Sequence, residues 1–441
     1  MDRKLVLIVV FLLLLVCLVY PRLQQNRVNA SAGYPVHNVN TGLNYASIQE
    51  AIDANETLDG HTIHVDAGTY YVNNTVDNVI NKALSLVGDG KENTTIIATS
   101  PVSIFYVTSD HVTISGFTMR NGTCGVEAYS DYVHIMNCTI SGNDEGISIH
   151  DLYLSDRLFV GEIIEGNILM NNTMAMQLET CNSTICRNFV SDNGGGIYLS
   201  PSAQGLSLPN GNLVYENTII NSSHVPYIAT LSVGGYNNSI FLNNFLGKNL
   251  VRVNPGSANT WNCSFTPDNL LWGGNFWSDY NQTNEYGLGD VPFMIDANNT
   301  DYHPLTGTLN IFDVHYGYEV DIISNSTISN FEFNLINQSN AALSFIVGGE
   351  SGTQGFCRVI MPEPLITSNT ATVELDGKAA GHDFVSNLTH WMTFLWYSHS
   401  FHQIEIAGVT TVPEFPTFLI PSLLMMATLL AIIVYKKKHL I

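Results

Sequence analysis

Charged side chains are scarce in this chain. Of its 441 residues only 12% are Asp, Glu, Lys or Arg, about half the usual share of ~25%. Positive charge is scarcer still. Sixteen Lys and Arg stand against 38 Asp and Glu, for a net charge of −22. A phosphate-binding face needs Lys and Arg, so a nucleic-acid partner is excluded. Disorder is excluded too, because it couples high charge to low hydrophobicity, and 45% of this chain is hydrophobic. The seven cysteines include no CxxC pair and no zinc-finger spacing. No HxH, HxxxH or MxxM run lies within 37–305, and His61 and His64, three apart on a strand, point to opposite faces. No metal is therefore assigned from spacing. Between 55 and 410 there is no helical periodicity of useful length, which leaves an all-β chain.

What the chain does have is a repeat. ISGNDEGISIH (140–150), LMNNTMAMQLE (169–179) and VSDNGGGIYLS (190–200) align one above another. Their small residue falls at Gly125, Gly146, Ala175 and Gly196, with weaker copies at Val225 and Gly247. The steps are 21, 29, 21, 29 and 22 residues. A period near 21 with insertions of about eight residues describes stacked coils. Inward Ile, Leu, Val and Met would stack in columns. Asn in the turns would take the left-handed conformation and bond to the Asn of the next coil. Gly before the strand would serve a positive φ. Cys138 shares the phase of Asn167 and Asn188, which makes it a small buried rung residue rather than a ligand. A Cys181–Cys186 bridge stays open. An amphipathic helix over 47–54 would close the first coil.

The segments YASIQEAIDA and DGHTIHVDAGTYY (45–71) resemble the entry of pectate-lyase-like β-helix proteins. The rungs SGNDEGISI and SDNGGGIYL, with LLWGGNFWSDYNQTNEYGLGDVPFMIDANNTDYHPL (270–305), resemble the NosD-like family. The resemblance covers 37–305. It implies a right-handed parallel β-helix of the carbohydrate-binding and sugar-hydrolysis type. The family's named member is a periplasmic copper-binding accessory protein. Spacing gives no copper ligands here, so copper binding stands as the weakest of three readings.

Residues 309–408 lose the rung period and read as a small antiparallel β-sandwich, like the appended β-domain of archaeal surface proteins. Residues 1–32 read as a signal peptide or an N-terminal anchor. Residues 409–417 resemble the linker of an archaeal sorting tail, 418–435 a transmembrane helix, and 436–441 a cytoplasmic tail carrying three lysines. The expectation is a cell-surface protein anchored in the membrane. Sequons at Asn55, Asn73, Asn93, Asn325, Asn337 and Asn387 are glycosylation candidates, and others recur at Asn121, Asn137, Asn171, Asn182 and Asn237.

No catalytic residue is assigned. The acidic residues 144, 145, 151, 156, 162, 165, 179 and 192 fall out of phase, with Asp144 matched by Thr173 and Gly194. They therefore read as solvated turns. The insertions 151–158 and 201–210 follow equivalent strands and should protrude on one side, a common binding face. Tyr153, Asp156 and Arg157 are the first candidates there. Trp272, Trp277, Asp279 and Tyr280 are the second set, where aromatics and carboxylates suit either a coil cap or a sugar surface. Calcium is the one cofactor left open, and glycans or other envelope components are the expected partners. The favoured function is non-catalytic binding. A lyase, epimerase or glycosidase on the β-helix groove is the rival.

Overall fold

The computed structural model describes residues 33–74, 78–151, 156–220, 229–247, 251–263, 273–281, 287–314, 317–337 and 339–411. The two proposed membrane segments lie outside these residues. Among the described residues no helix is long and apolar enough to cross a membrane. The described chain is all-β apart from two short helical turns. It divides into two compact units, Met1–Thr184 with Asn188–Pro209, and Ile185–Arg187 with Asn210–Ile441.

The first unit is built from three sheets, parallel except where Val36–Asn38 pairs antiparallel with Leu43–Tyr45 and Thr62–Val65 at the start of the first. The second sheet runs Gly68–Val72, Thr94–Ala98, Thr118–Arg120, Thr139–Ser141, Ile168–Met170 and Phe189–Ser191. Partners there lie 21, 29 and 21 residues apart: Thr118 pairs with Thr139, Thr139 with Ile168, and Ile168 with Phe189. This is the spacing read from the sequence. Inward columns follow, such as Ile63, Leu86, Ile114, Ile135 and Ile164 in the first sheet, all fully buried. Each coil covers the apolar face of its neighbour, which no coil could bury alone. The long coil adds one extra pairing, Phe159–Val160 with Thr180–Cys181.

Three corners join the sheets, and each has two parts. A residue with left-handed backbone comes first: His111, Tyr132, Gly161 and Asn182 at one corner, Gly116, Asn137 and Gly166 at the next, Asn121, Gly142, Asn171 and Asp192 at the third. The residue after it points inward. Asn143, Asn172 and Asn193 form one such column: the Oδ1 of Asn172 and of Asn193 accepts from the backbone and side-chain N–H of the Asn in the coil before, and that of Asn143 from the Gly122 N–H. Asn167 and Asn188 form another, and Cys138, fully buried, donates its backbone N–H to Asn167. The expectation for Cys138 holds. The expectation that the stacking Asn is itself left-handed is corrected: the preceding residue takes the turn. Gly125 and Gly146 are corrected as well, since neither has positive φ. A Cβ on Gly125 would lie 2.6 Å from the Gly146 carbonyl, and one on Gly146 2.4 Å from the Ala175 carbonyl. Close backbone approach, not φ, requires glycine there.

The helix Ile48–Asp53 packs Ile48, Ala51 and Ile52 against the first coil. Ser47 caps it by accepting from the Glu50 N–H, and Glu50 reaches back to accept from the N–H of Ala46, the residue before the cap. All six described cysteines are free, so the Cys181–Cys186 bridge does not form.

The second unit has coils of its own. Their Asn columns run Asn212, Asn238, Asn259, Asn299 and Asn217, Asn243, Asn275, ending on Asp301. The first steps are 26 residues in both columns, not 22, and Gly247 follows a strand of a different sheet from the other repeat copies; Val225 lies outside the described residues. Residues 308–409 then form two five-stranded antiparallel sheets. Val320, Ile322, Val359 and Trp391 from one face Leu343, Phe345, Ile404 and Ile406 from the other in a single core. A second cluster, from Leu242, Leu288 and Leu305 to Ile360 and Phe394, ties the coils of this unit to those sheets. Arg187 adds an ion pair to Glu216 and another to Glu319.

Candidate functional site

The outward face of the third sheet carries the densest polar chemistry in the first unit. Strand alternation puts Val126 and Ala128 inside and Glu127 and Tyr129 outside. Parallel register then stacks Tyr106, Glu127, Ser148, Gln177 and Tyr198 in one outward column. Tyr129, His150, Glu179 and Ser200 follow one position beyond the buried column and form the next.

Glu127 is the centre of this face. Ser103 and Tyr129 both donate hydroxyl hydrogen bonds to its carboxylate. His150 Nε2 lies 3.2 Å from the Tyr129 hydroxyl and 3.9 Å from Glu127, while its Nδ1 sits 2.9 Å from Ser148 Oγ. The Tyr106 and Tyr129 rings are 5.2 Å apart and tilted at 49°. Burial, with Glu127 hydrogen-bonded to it, pushes the Tyr129 phenol far above its ordinary range. Burial, then the charges of Glu127 and Glu145, pushes the Cys124 thiol up to about 12, so it is neither nucleophile nor ligand. Beside Glu127 opens a groove of about 490 Å³ lined by Pro101, Val102, Ser103, Tyr106, Thr123 and Glu127. Neither Glu127 nor His150 stands out in the sequence. The signal was there: GVEAY and GISIH are in phase, so their outward residues meet.

The two insertions rise from the ends of strands Glu145–Ile149 and Gly195–Leu199. They touch, as expected of loops on one side. Asp156 accepts from the Ser202 hydroxyl and from the Ser207 N–H at 2.7 Å, and those bonds hold its carboxyl below the ordinary range. Glu179, buried beneath, accepts from the Asp151 N–H at 3.2 Å and from the Ala203 backbone, one contact from each loop. Arg157 pairs with Asp131 and lies 4.7 Å over the Phe159 ring. Tyr153 lies outside the described residues.

In the second unit, Trp277 is fully buried. Its ring stacks on Phe245 at 4.7 Å and Phe293 at 4.4 Å, and its Nε1–H donates to Asp301 at 2.9 Å. Tyr280 is half-buried and donates to the Val291 carbonyl. Asp279 is exposed. Trp272 lies outside the described residues. The described members of this set cover the end of the coils. They do not form a ring surface open to solvent.

A family model described as periplasmic copper-binding protein (NosD) matches residues 53–282, just over half of the chain. A cell surface glycoprotein of Methanothermus fervidus is 24% identical over 350 residues, covering 59% of this chain and 56% of that protein. The chain thus spans about half the length of that relative. Among solved structures, a tailspike of Acinetobacter baumannii bacteriophage Fri1, a capsular polysaccharide depolymerase, is 10% identical. It covers 81% of this chain and 80% of its own, with a TM-score of 0.27. A tailspike of E. coli bacteriophage HK620 in complex with a pentasaccharide is 11% identical, covering 79% and 74%, with a TM-score of 0.30. Likeness that loose bears on nothing functional.

The family description names copper, and the described residues do not fit it. Among them no group of three or more His, Cys, Asp or Glu converges as a metal site. His37 and His64 stack 6.2 Å apart and both face Asp66. His37 is spoken for on both nitrogens, by Asn44 at 2.6 Å and Asp66 at 3.0 Å. Burial opposes its charge, yet those two partners carry its pKa above the ordinary value. Cys138 is a buried thiol pushed up to about 12 by desolvation. The match to these coils nonetheless shows that the chain belongs to the NosD family of right-handed parallel β-helix proteins.

Proposed function

We propose that this chain stands on the outside of the cell, held by the span at 418–435, and binds carbohydrate without cleaving it. The groove beside Glu127 carries the reading. Tyrosine rings stack on the C–H faces of a sugar, and a fixed carboxylate accepts its hydroxyls. Tyr106 and Glu127 supply both in one groove, with Tyr129 set against the two of them. The joined loops 151–158 and 201–210, with Tyr153, Asp156 and Arg157, would rim this face. The similarity to a cell surface glycoprotein supports the location. The net charge of −22 favours neutral sugars over uronates, which like charge repels.

A glycan array probed with the full chain tests this. Binding should be lost in Tyr106→Ala and weakened at least tenfold in Glu127→Gln, with the fold unchanged. The rival, an enzyme, is favoured by one observation: His150 sits beside Tyr129 and Glu127 in a single polar cluster able to move a proton. Release of reducing ends or unsaturated products from a bound glycan, abolished by His150→Ala, would decide for the enzyme.

A further inference from the structure

The sequons divide into two classes by what the fold needs from them. Asn93 donates its side-chain N–H to the Asp89 carbonyl at 2.9 Å. Asn325 uses both ends of its amide, donating to Gln354 and accepting from Phe356, each at 2.9 Å, and its sequon hydroxyl, on Thr327, donates to the Gly348 carbonyl at 3.0 Å. Asn55 is exposed, but its sequon hydroxyl on Thr57 is buried, donating to the Ala51 carbonyl and accepting from Asn38. Asn387 accepts from the Thr389 and His390 N–H groups and from the Thr389 hydroxyl. Asn73 and the strand residue Asn337 have sequons that bear on neither class here.

The corner sequons differ. Asn121, Asn137, Asn171, Asn182 and, in the second unit, Asn237 all have left-handed backbone and are exposed. Each is followed by the inward corner residue and then by a Thr or Ser that opens the next strand (Thr139, Thr184, Ser239) or immediately precedes it (Thr123, Thr173). None of these five amides is among the described groups with a hydrogen bond. In the first unit each also has glycine beside it on an adjoining coil. Gly142 lies between Asn121 and Asn171, Gly116 and Gly166 flank Asn137, and Gly161 adjoins Asn182. The carbonyl oxygens of Asn121 and Asn137 lean into the space a side chain on Gly142 or Gly166 would fill, 3.1 and 2.9 Å from its Cβ position. Coils lie about 4.8 Å apart, so Asn121 and Asn171, two coils apart, stand roughly 10 Å from each other. A corner column of alternating Asn and Gly therefore leaves room around each acceptor.

We propose that these corner asparagines are N-glycosylated, and that the sequons woven into the fold, Asn93 and Asn325, are not. The inference rests on the outside location proposed above. The donor is a lipid-phosphate-linked oligosaccharide, used by an oligosaccharyltransferase. The Asn Nδ2 forms a bond to the anomeric carbon, the bond from that carbon to the lipid phosphate oxygen breaks, the phosphorylated lipid leaves with the electron pair, and the amide loses one proton. Whichever comes first, folding or transfer, the glycan takes one of the two Nδ2 hydrogens and fixes the direction of the other, so it is accommodated most readily where the amide nitrogen holds no structural bond. Asn121 adjoins Thr123 of the groove, so its glycan would border the proposed sugar site.

The test is glycopeptide mass spectrometry on the full chain, purified from a host that N-glycosylates its exported proteins. Sugar is expected on the peptides of Asn121, Asn137, Asn171, Asn182 and Asn237, with Asn93 and Asn325 bare. Thr139→Ala and Thr184→Ala should each remove one glycan mass while leaving the corner Asn and the circular dichroism unchanged. Labelling of intact cells separates the two ways to fail. A chain outside the cell with bare corners, or with Asn93 and Asn325 as fully occupied as the corners, overturns the glycosylation. A chain that is never outside overturns the location, and the glycosylation with it.

Discussion

At the scale of the residue, the corner asparagine does the most. Asn172 is buried, and its amide serves four partners: it accepts from the Asn143 backbone and side chain and donates to the Ile140 carbonyl and to Asn193. Alanine there strands several buried polar groups, so Asn172→Ala should lower the unfolding free energy by roughly 3 kcal/mol, seen as a fall in urea midpoint at constant slope. The same column position at the neighbouring corner holds Glu162, almost fully buried, with Oε2 bonded to Ser183 and Oε1 without a partner among the described residues. Burial pushes its carboxyl up to about 8. The folded chain therefore holds this proton where the unfolded chain has lost it. The stability it contributes is complete below the ordinary value of 4.5 and disappears as the pH rises through about 8. Glu162→Gln should match the wild type in thermal midpoint at pH 4 and exceed it above pH 8. A wild-type midpoint that rises across that window would sink the assignment.

At the scale of the element, the insertions act as one piece. Asp156 joins them through Ser202 and Ser207, and Glu179 pins the start of each. Asp156→Ala should raise amide exchange at Ser207 by about tenfold, while the inward columns keep their protection. This scale also shows what the sequence could and could not tell. The 21/29 spacing gave the coils, because a coil must bury one apolar face per turn and the pattern repeats wherever it does. It gave the side of the loops for the same reason. It failed where function lies. Glu127 and His150 stand 23 positions apart and meet only through register, as outward neighbours of columns whose inward members carried the pattern. The acidic residues weighed from the sequence read as solvated turns, and that is corrected for four of them: Glu145 and Glu165 lie in strands and Glu162 and Glu179 are buried, while Asp144 does stack with Thr173 and Gly194 rather than with acids. Trp277 drew notice as an aromatic, but a ring that closes the last coil and one that binds sugar look alike until its burial is known.

At the scale of the whole molecule, a stack of coils offers long flat faces, and here one of them is chemically different from the rest. The first sheet of that unit also presents His64 and His134, and the second Tyr71 and Phe189, whereas the third gathers tyrosines, a fixed carboxylate and a histidine in adjoining columns beside a groove. Family membership does not account for that face, and the described residues assemble no copper site that would. The proposed sugar binding would account for it. The most direct measurement is calorimetric titration of the full chain with the best ligand from a glycan array, beside Tyr106→Ala and Glu127→Gln. The account predicts saturable binding that Tyr106→Ala abolishes and Glu127→Gln weakens at least tenfold. Undiminished binding in both variants, or no glycan bound by the intact chain, would contradict it.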